Sequence, residues 1–144
     1  MTKAEIAVSA FETRNCAQAV LSAYADDFGL DKEKALQMAV GFGGGMGRLQ
    51  KTCGAISGAI MVLGLSSGFA ETDGREKINT VYARVRRLID DFKERKGTVK
   101  CRELLGCDLS TDEGNKFFKE NNLRENCKDY IRLCCELVDG YLAE

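Results

Sequence analysis

Helix-start signals recur along the whole chain, and they constrain the fold more than any other feature. A residue that favours the N-cap position precedes apolar residues at helical spacing near Thr2, Asn15, Asp31, Thr52, Asp73, Ser110 and Asn126. The chain contains no proline and shows no period-two alternation typical of strands. We therefore predict an all-α fold, a single domain over residues 1–144 with a bundle of about six helices.

One segment is apolar enough to raise the question of a membrane. Residues 53–70 form a run of 18 uncharged residues, which is near the lower limit for a spanning helix. Glycine and serine are scattered through this run, and it has no aromatic belt. A central helix buried on all sides explains the pattern better, so we expect no membrane partner.

The composition excludes several classes of function. The chain has seven cysteines and no histidine, which rules out Cys–His and Ser–His triads, His-ligated metals and covalent haem attachment through C-x-x-C-H. Lys and Arg total 21 and Asp and Glu total 22, so we expect no nucleic acid partner. The segment 1–5 lacks the features of a signal peptide. We therefore expect a cytoplasmic protein, in which many cysteines indicate metal binding or redox chemistry.

Four cysteines fall where helices are predicted to begin. Three of them directly follow an Asn or Thr that favours the N-cap position, and the fourth opens a short turn. The free N–H groups and partial positive charge at a helix start favour a thiolate and lower its pKa. We interpret these four as the catalytic residues or, alternatively, as metal ligands: Cys16, Cys53, Cys101 and Cys127. Any of them taken singly also suits a buried apolar position.

The other three cysteines have different surroundings. Cys134 and Cys135 lie beside the apolar stripe of the last predicted helix, so we expect them to fill the core. Cys107 follows a glycine in a predicted turn. It is interpreted as a turn residue, with a role as resolving thiol for Cys101 as the alternative.

A glycine-rich loop at residues 41–47 is the second candidate site. It matches neither the dinucleotide-binding nor the P-loop pattern, and it follows a predicted helix. Gly43, Gly44 and Gly45, with Arg48 as charge partner, are the predicted cofactor-binding residues of an anion-binding nest. Two alternatives stay open: a tight turn, or a close backbone approach to a cofactor or disulfide beside Cys53.

Together these motifs resemble the C_GCAxxG_C_C family of redox-active proteins, from about residue 11 to about residue 138. The segments that carry the resemblance are NCAQAV at 15–20, GFGGGMGR at 41–48, CGAISG at 53–58, CRELLG at 101–106 and Cys127. The resemblance implies four signature cysteines, and they are the same four that the helix starts select. The family name places Gly before Cys, whereas this chain reads Cys53-Gly54-Ala55.

Three functions remain open. The four cysteines form reversible disulfides, with three possible pairings, or hold an iron–sulfur cluster for electron transfer, and we rank these two equally. A structural Cys₄ zinc site or a disulfide in a non-catalytic adaptor ranks behind them. Enzymatic activity is left open. The expected partner is a redox protein or a small thiol, and the sequence allows a homodimer without requiring one.

Overall fold

The computed structural model describes all residues from 1 to 144, and they form eight α-helices. The helices are α1 (Lys3–Ala10), α2 (Cys16–Tyr24), α3 (Lys32–Ala39), α4 (Gly54–Ser66), α5 (Arg75–Lys96), α6 (Cys101–Leu105), α7 (Asp112–Glu120) and α8 (Arg124–Leu142). The 3₁₀ turns Asp26–Phe28 and Val40–Phe42 follow α2 and α3. The prediction of an all-α fold is confirmed, but about six helices was too few, since the short α6 and α7 are separate elements.

The first three predicted helix starts are confirmed in atomic detail. Thr2 and Asn15 form capping boxes, in which Glu5 N–H donates to Thr2 Oγ1 at 3.1 Å and Gln18 N–H donates to Asn15 Oδ1 at 3.0 Å. Asp31 accepts the N–H of the third residue of α3 in the same way. These starts depend only on residues close in sequence, which explains why the pattern predicted them.

The four later starts are displaced from their predicted positions. The N-cap residues are Cys53 instead of Thr52, Gly74 instead of Asp73, Thr111 instead of Ser110, and Leu123 instead of Asn126. Other contacts occupy two of the predicted caps: Thr52 forms an isolated antiparallel bridge with Lys100, and the Asp73 carboxylate accepts the Ala70 N–H. Contacts outside the helices therefore account for the displaced starts of α4 and α5.

The core is built around α2 and α4. Every residue of α4 is buried or half-buried, as a central helix requires, and α1, α5 and α8 surround the pair. Tyr24 of α2 is fully buried and its hydroxyl donates to the Cys135 carbonyl and to Asp139 Oδ1, which ties α2 to α8. No helix in the structure combines the length and apolarity needed to cross a membrane.

Apolar residues recur at helical spacing along α5 from Ile78 to Phe92, and this stripe is buried only near its C-terminal end. Leu88 and Phe92 are fully buried, whereas Tyr82 in the first half is 51% exposed. The helix ends at Gly97, which has the left-handed backbone typical of a glycine after a helix C-terminus. The spacing of the apolar residues therefore marks a helix, but only its C-terminal end is fully packed against the core.

Close contact between α2 and α4 depends on a glycine. A Cβ atom at Gly58 would lie 2.7 Å from the carbonyl oxygen of Ala17 and 3.0 Å from Cβ of Val20. Backbone cannot retreat from such a clash without moving the helix. Gly58 therefore sets the separation of the two central helices.

We expect Gly58→Ala to lower the free energy of unfolding by about 1–3 kcal/mol, because the clash with the Ala17 carbonyl outweighs the better helix propensity of alanine. Gly64→Ala in the same helix is the matched control, since nothing lies within 4 Å of its added Cβ. It should raise stability by up to about 1 kcal/mol. Urea denaturation followed by circular dichroism measures both, and a stabilised Gly58→Ala variant would contradict the packing argument.

Candidate functional site

The four predicted cysteines all line one cavity of about 940 Å³. They reach it from four different helices: Cys16 from α2, Cys53 from the start of α4, Cys101 from α6 and Cys127 from α8. They meet only through the fold, because none of them lies near another in sequence. The structure thus brings together the complete set of cysteines that the helix starts selected.

Cys16 occupies the central place in this group. It is the first residue of α2, as predicted, and it is half-buried. Gly54 leaves no room for a side chain because the Cys16 sulfur lies against it. Among the neighbouring charged groups, ionised Cys16 contributes most to raising the pKa of Cys53, of Cys101 and of Cys127. The charge on Cys16 therefore acts on each of the other three cavity thiols.

A short backbone pairing positions Cys53 and Cys101. The Cys53 N–H donates to the Val99 carbonyl at 2.8 Å, and the Cys101 N–H donates to the Lys51 carbonyl at 2.7 Å. These bonds flank the Thr52–Lys100 bridge and join the start of α4 to the start of α6. The sequence showed no strand here, because a single bridge carries no periodic signal.

Burial dominates the ionisation of Cys53. Its side chain is only 6% exposed, and burial raises the pKa of its thiol well above the usual value, with Cys16 adding to the rise. The N–H groups of Ala55 and Ile56 at the start of α4 act in the opposite direction. The predicted helix-start effect is therefore present, but desolvation of the thiolate outweighs it.

Cys101 and Cys127 follow the same rule. Burial raises the pKa of Cys101 to about 11, against a hydrogen bond with the Gln50 side chain that lowers it. Burial also raises the pKa of Cys127 to about 12, and Arg124 lowers it. The prediction of lowered thiol pKa values is therefore wrong for Cys53, Cys101 and Cys127. Cys127 is also the fourth residue of α8, so its predicted position at the first helical residue is wrong as well.

The remaining cysteines lie outside the cavity. Cys134 and Cys135 are fully buried in α8, which confirms their expected place in the core. Cys107 is buried in the bend after α6, and its carbonyl accepts a hydrogen bond from Gln50 Nε2. Its interpretation as a turn residue is supported, and a role as resolving thiol stays a prediction.

The glycine loop forms one wall of the cavity, and its role as an anion-binding nest stays a prediction. Gly43, Gly44 and Arg48 line the cavity, as does Gly47, whereas Gly45 does not. Several N–H groups of the loop donate within it, Arg48 to the Gly43 carbonyl and Gln50 to the Gly44 carbonyl among them. The side chain of Arg48 lines the cavity and donates to Asn115 Oδ1 at 3.0 Å.

Most of this loop has left-handed backbone. Positive φ angles occur at Gly44, Gly45, Met46, Gly47, Arg48 and Gln50. Left-handed geometry costs a non-glycine residue about 1–2 kcal/mol, so the loop is held in place by its surroundings. Gln50 supplies part of that support, since its buried side chain also accepts the Leu109 N–H at 2.8 Å.

The cavity lining has a charge pattern that the sequence analysis missed. Arg14, Arg48, Lys119 and Arg124 line it, and no Asp or Glu does. None of the four forms an ion pair with a carboxylate. Arg14 and Arg124 lie two and three residues before the signature cysteines Cys16 and Cys127, so the sequence could have indicated them. Lys119 is distant from these cysteines in sequence and joins the site only through the fold.

The donor arrangement does not form a metal site. No three of the Cys, Asp and Glu side chains lie close enough together to hold a metal ion. All seven cysteines are free thiols. As arranged here, the four cysteines therefore do not fit a tetrahedral zinc or cluster site.

Comparison with known proteins identifies the family. A family model described as "Putative redox-active protein (C_GCAxxG_C_C)" matches residues 14–141 of the 144. The chain belongs to the C_GCAxxG_C_C family. No curated protein and no solved structure matches it significantly. Membership confirms the resemblance and the general redox description, and the family description names no reaction.

Alkylation tests the ionisation of the cavity thiols. Because only the thiolate reacts and the pKa of Cys101 is raised to about 11, its rate with iodoacetamide should rise about tenfold per pH unit between roughly pH 8 and pH 10. Peptide mass spectrometry measures the rate for each cysteine. Cys134, fully buried, is the internal control and should react only after unfolding. A Cys101 rate that levels off by about pH 9 would contradict the raised pKa.

Proposed function

We propose that the protein is a thiol–disulfide redox protein whose working pair is Cys16 and Cys53. The observation that carries the proposal is the convergence of four cysteines from four helices on one cavity, with the Cys16 sulfur against Gly54, the residue after Cys53. Core filling alone would not require all four to face the same cavity.

The positions of the two thiols suit different roles. Cys16 and Cys127 are both half-buried, but Cys16 is the first residue of α2, where the helix end is partly positive, whereas Cys127 is the fourth residue of α8. We therefore assign Cys16 as the thiol that meets an incoming disulfide. Cys53 is buried beside it, since its neighbour Gly54 lies against the Cys16 sulfur. This arrangement suits an attacking cysteine and a resolving cysteine.

The exchange conserves atoms and electrons. The Cys16 thiolate attacks one sulfur of a substrate disulfide, whose S–S bond breaks and releases one thiol. Cys53 then attacks the Cys16 sulfur of the mixed disulfide and releases the second thiol. The substrate gains two electrons and the two cysteine protons, and the protein gains one disulfide. Cys101 and Cys127 remain thiols in this step, because the exchange uses the pair of cysteines whose segments lie in contact through Gly54.

The spacing of the donors favours exchange over a cluster. A cysteine-ligated cluster or zinc ion needs several sulfurs at ligand distance from one centre, and the present arrangement lacks such a set. A disulfide needs only two sulfurs to meet. The Cys16 and Cys53 segments already lie in contact through Gly54.

Disulfide mapping tests the pair. After mild oxidation of the reduced protein we expect a loss of about two daltons and a Cys16–Cys53 cross-link in the non-reduced peptide map. Cys16→Ser should abolish this product. Cys134→Ala, which removes a cysteine outside the cavity, should retain it.

Two outcomes of that measurement would overturn the proposal. One is a first disulfide that excludes Cys16. The other is protein purified without oxygen that carries iron and sulfide bound by these cysteines, since the thiols would then serve as ligands.

The Gly54 contact gives a second, independent test. Gly54→Ala places a methyl group against the Cys16 sulfur, and a displacement of about 1 Å from a reactive geometry can cost about a hundredfold in rate. We expect at least about tenfold slower closure of the Cys16–Cys53 disulfide, measured by quenched alkylation. Gly64→Ala is the control in the same helix, and equal rates in the two variants would contradict the proposed contact.

A further inference from the structure

The side chains that line the cavity carry an excess of positive charge, whereas the chain as a whole does not. The whole sequence is balanced, with 21 basic and 22 acidic residues. The cavity lining instead contains Arg14, Arg48, Lys119 and Arg124 and no carboxylate. Four like charges that face one concave surface repel one another, so their collection there requires a compensating gain, such as a bound anion.

The four cations come from separate parts of the chain. Arg14 precedes α2, Arg48 belongs to the glycine loop, Lys119 lies on α7 and Arg124 lies on α8. Arg14, Arg48 and Lys119 are exposed, whereas Cys53 and Cys101 are buried. These three cations therefore lie toward the rim, with half-buried Cys16, Cys127 and Arg124 below them and the other two thiols deepest.

The glycine loop is built to bring Arg48 to this place. Arg48 has φ 62°, a left-handed conformation that is costly for a residue with a side chain. A Cβ at Gly44 would lie 2.7 Å from Cγ of Arg48, so the glycine leaves space for the arginine side chain. Strained backbone that persists beside a cavity is commonly associated with function.

The remaining lining defines the shape of the ligand. Phe11, Leu104, Leu105 and Phe118 supply apolar surface, and a cavity of about 940 Å³ admits a small organic molecule. A compact inorganic anion would leave these walls uncovered. The lining suits a molecule with an apolar or sulfur-containing centre and negative groups at its ends.

We propose that the cavity recognises a low-molecular-weight disulfide that carries carboxylates, which the rim cations bind while its sulfur–sulfur bond reaches Cys16. This inference rests on the proposed thiol exchange and adds the substrate class. The reaction is the same balanced exchange: the acidic disulfide leaves as two acidic thiols, and the protein is left with its Cys16–Cys53 disulfide.

A series of small disulfides that differ in charge tests the inference. The reduced protein is mixed with 3,3′-dithiodipropionate, which is anionic, with 2-hydroxyethyl disulfide, which is neutral, and with cystamine, which is cationic. Each rate constant is divided by that of the same compound with dithiothreitol, to remove its intrinsic reactivity. We expect the anionic compound to exceed the cationic one by at least about tenfold at low salt, with the ratio falling in about 1 M salt.

Variants at the rim locate the effect. Arg14→Gln combined with Lys119→Gln should reduce the anion-to-cation ratio several-fold, and Arg48→Gln should reduce it independently. Lys116→Gln is the matched control, because Lys116 is exposed on the same helix as Lys119 and does not line the cavity. A normalised ratio of about one, or a ratio unchanged in the rim variants, would overturn the inference while leaving thiol exchange in place.

A non-reactive analogue separates this inference from the proposed function. 3,3′-Thiodipropionate has a thioether in place of the disulfide, so it binds without exchange. If no disulfide oxidises the protein, the exchange function fails. Protection of Cys16 from alkylation by the thioether, lost in Arg14→Gln/Lys119→Gln, would still support the anion site, and absence of protection would overturn it.

A larger normalised rate with coenzyme A disulfide than with oxidised glutathione would overturn the assignment to carboxylates.

Discussion

The contact between α2 and α4 is the constraint on which the rest of the structure depends. Gly54 and Gly58 remove two side chains from the interface, and α2 then lies close enough for its first residue, Cys16, to meet the start of α4. The same contact buries the apolar face of α4 in the core. Packing of the hydrophobic core and the approach of the two thiols therefore depend on the same contact, and a change in the separation of α2 and α4 would alter both.

A competition between two electrostatic effects decides how the thiols behave. Helix starts stabilise negative charge, and the N–H groups of Ala55 and Ile56 do so for Cys53. Removal of a thiolate from water costs more, so burial raises the pKa values of Cys53, Cys101 and Cys127. Burial also divides the thiols, since Cys53 and Cys101 are buried whereas Cys16 and Cys127 are half-buried, and of these last two Cys16 lies at a helix start.

The loop before α4 has a strained backbone and forms one wall of the cavity. Its left-handed residues curl the chain tightly, and the backbone pairing of Cys53 with Val99 and of Cys101 with Lys51 anchors the segment that leaves it. Gln50 contributes to the same anchor through its side-chain bonds to the chain at Cys107 and Leu109. These bonds offset the conformational cost of the loop and hold Arg48 beside the thiols.

Local sequence patterns predicted much of the local structure, and tertiary contacts decided the properties that matter for chemistry. Thr2, Asn15 and Asp31 begin helices as their side chains predict, because a cap involves residues only three positions apart. The later starts at Thr52 and Asp73 were misplaced because contacts outside the helices occupy these residues, and α7 and α8 begin near Ser110 and Asn126 but not at them. The direction of the thiol pKa shifts also reversed, since burial is a property of the folded protein and local sequence reports only the helix start.

The sequence by itself determined which helices form at the N-terminal end and which four cysteines carry the signature, because the capping pattern and the family motifs select the same residues. The fold determined which thiols are half-buried and that Lys119 joins the four thiols at one cavity, since both depend on contacts between residues distant in sequence.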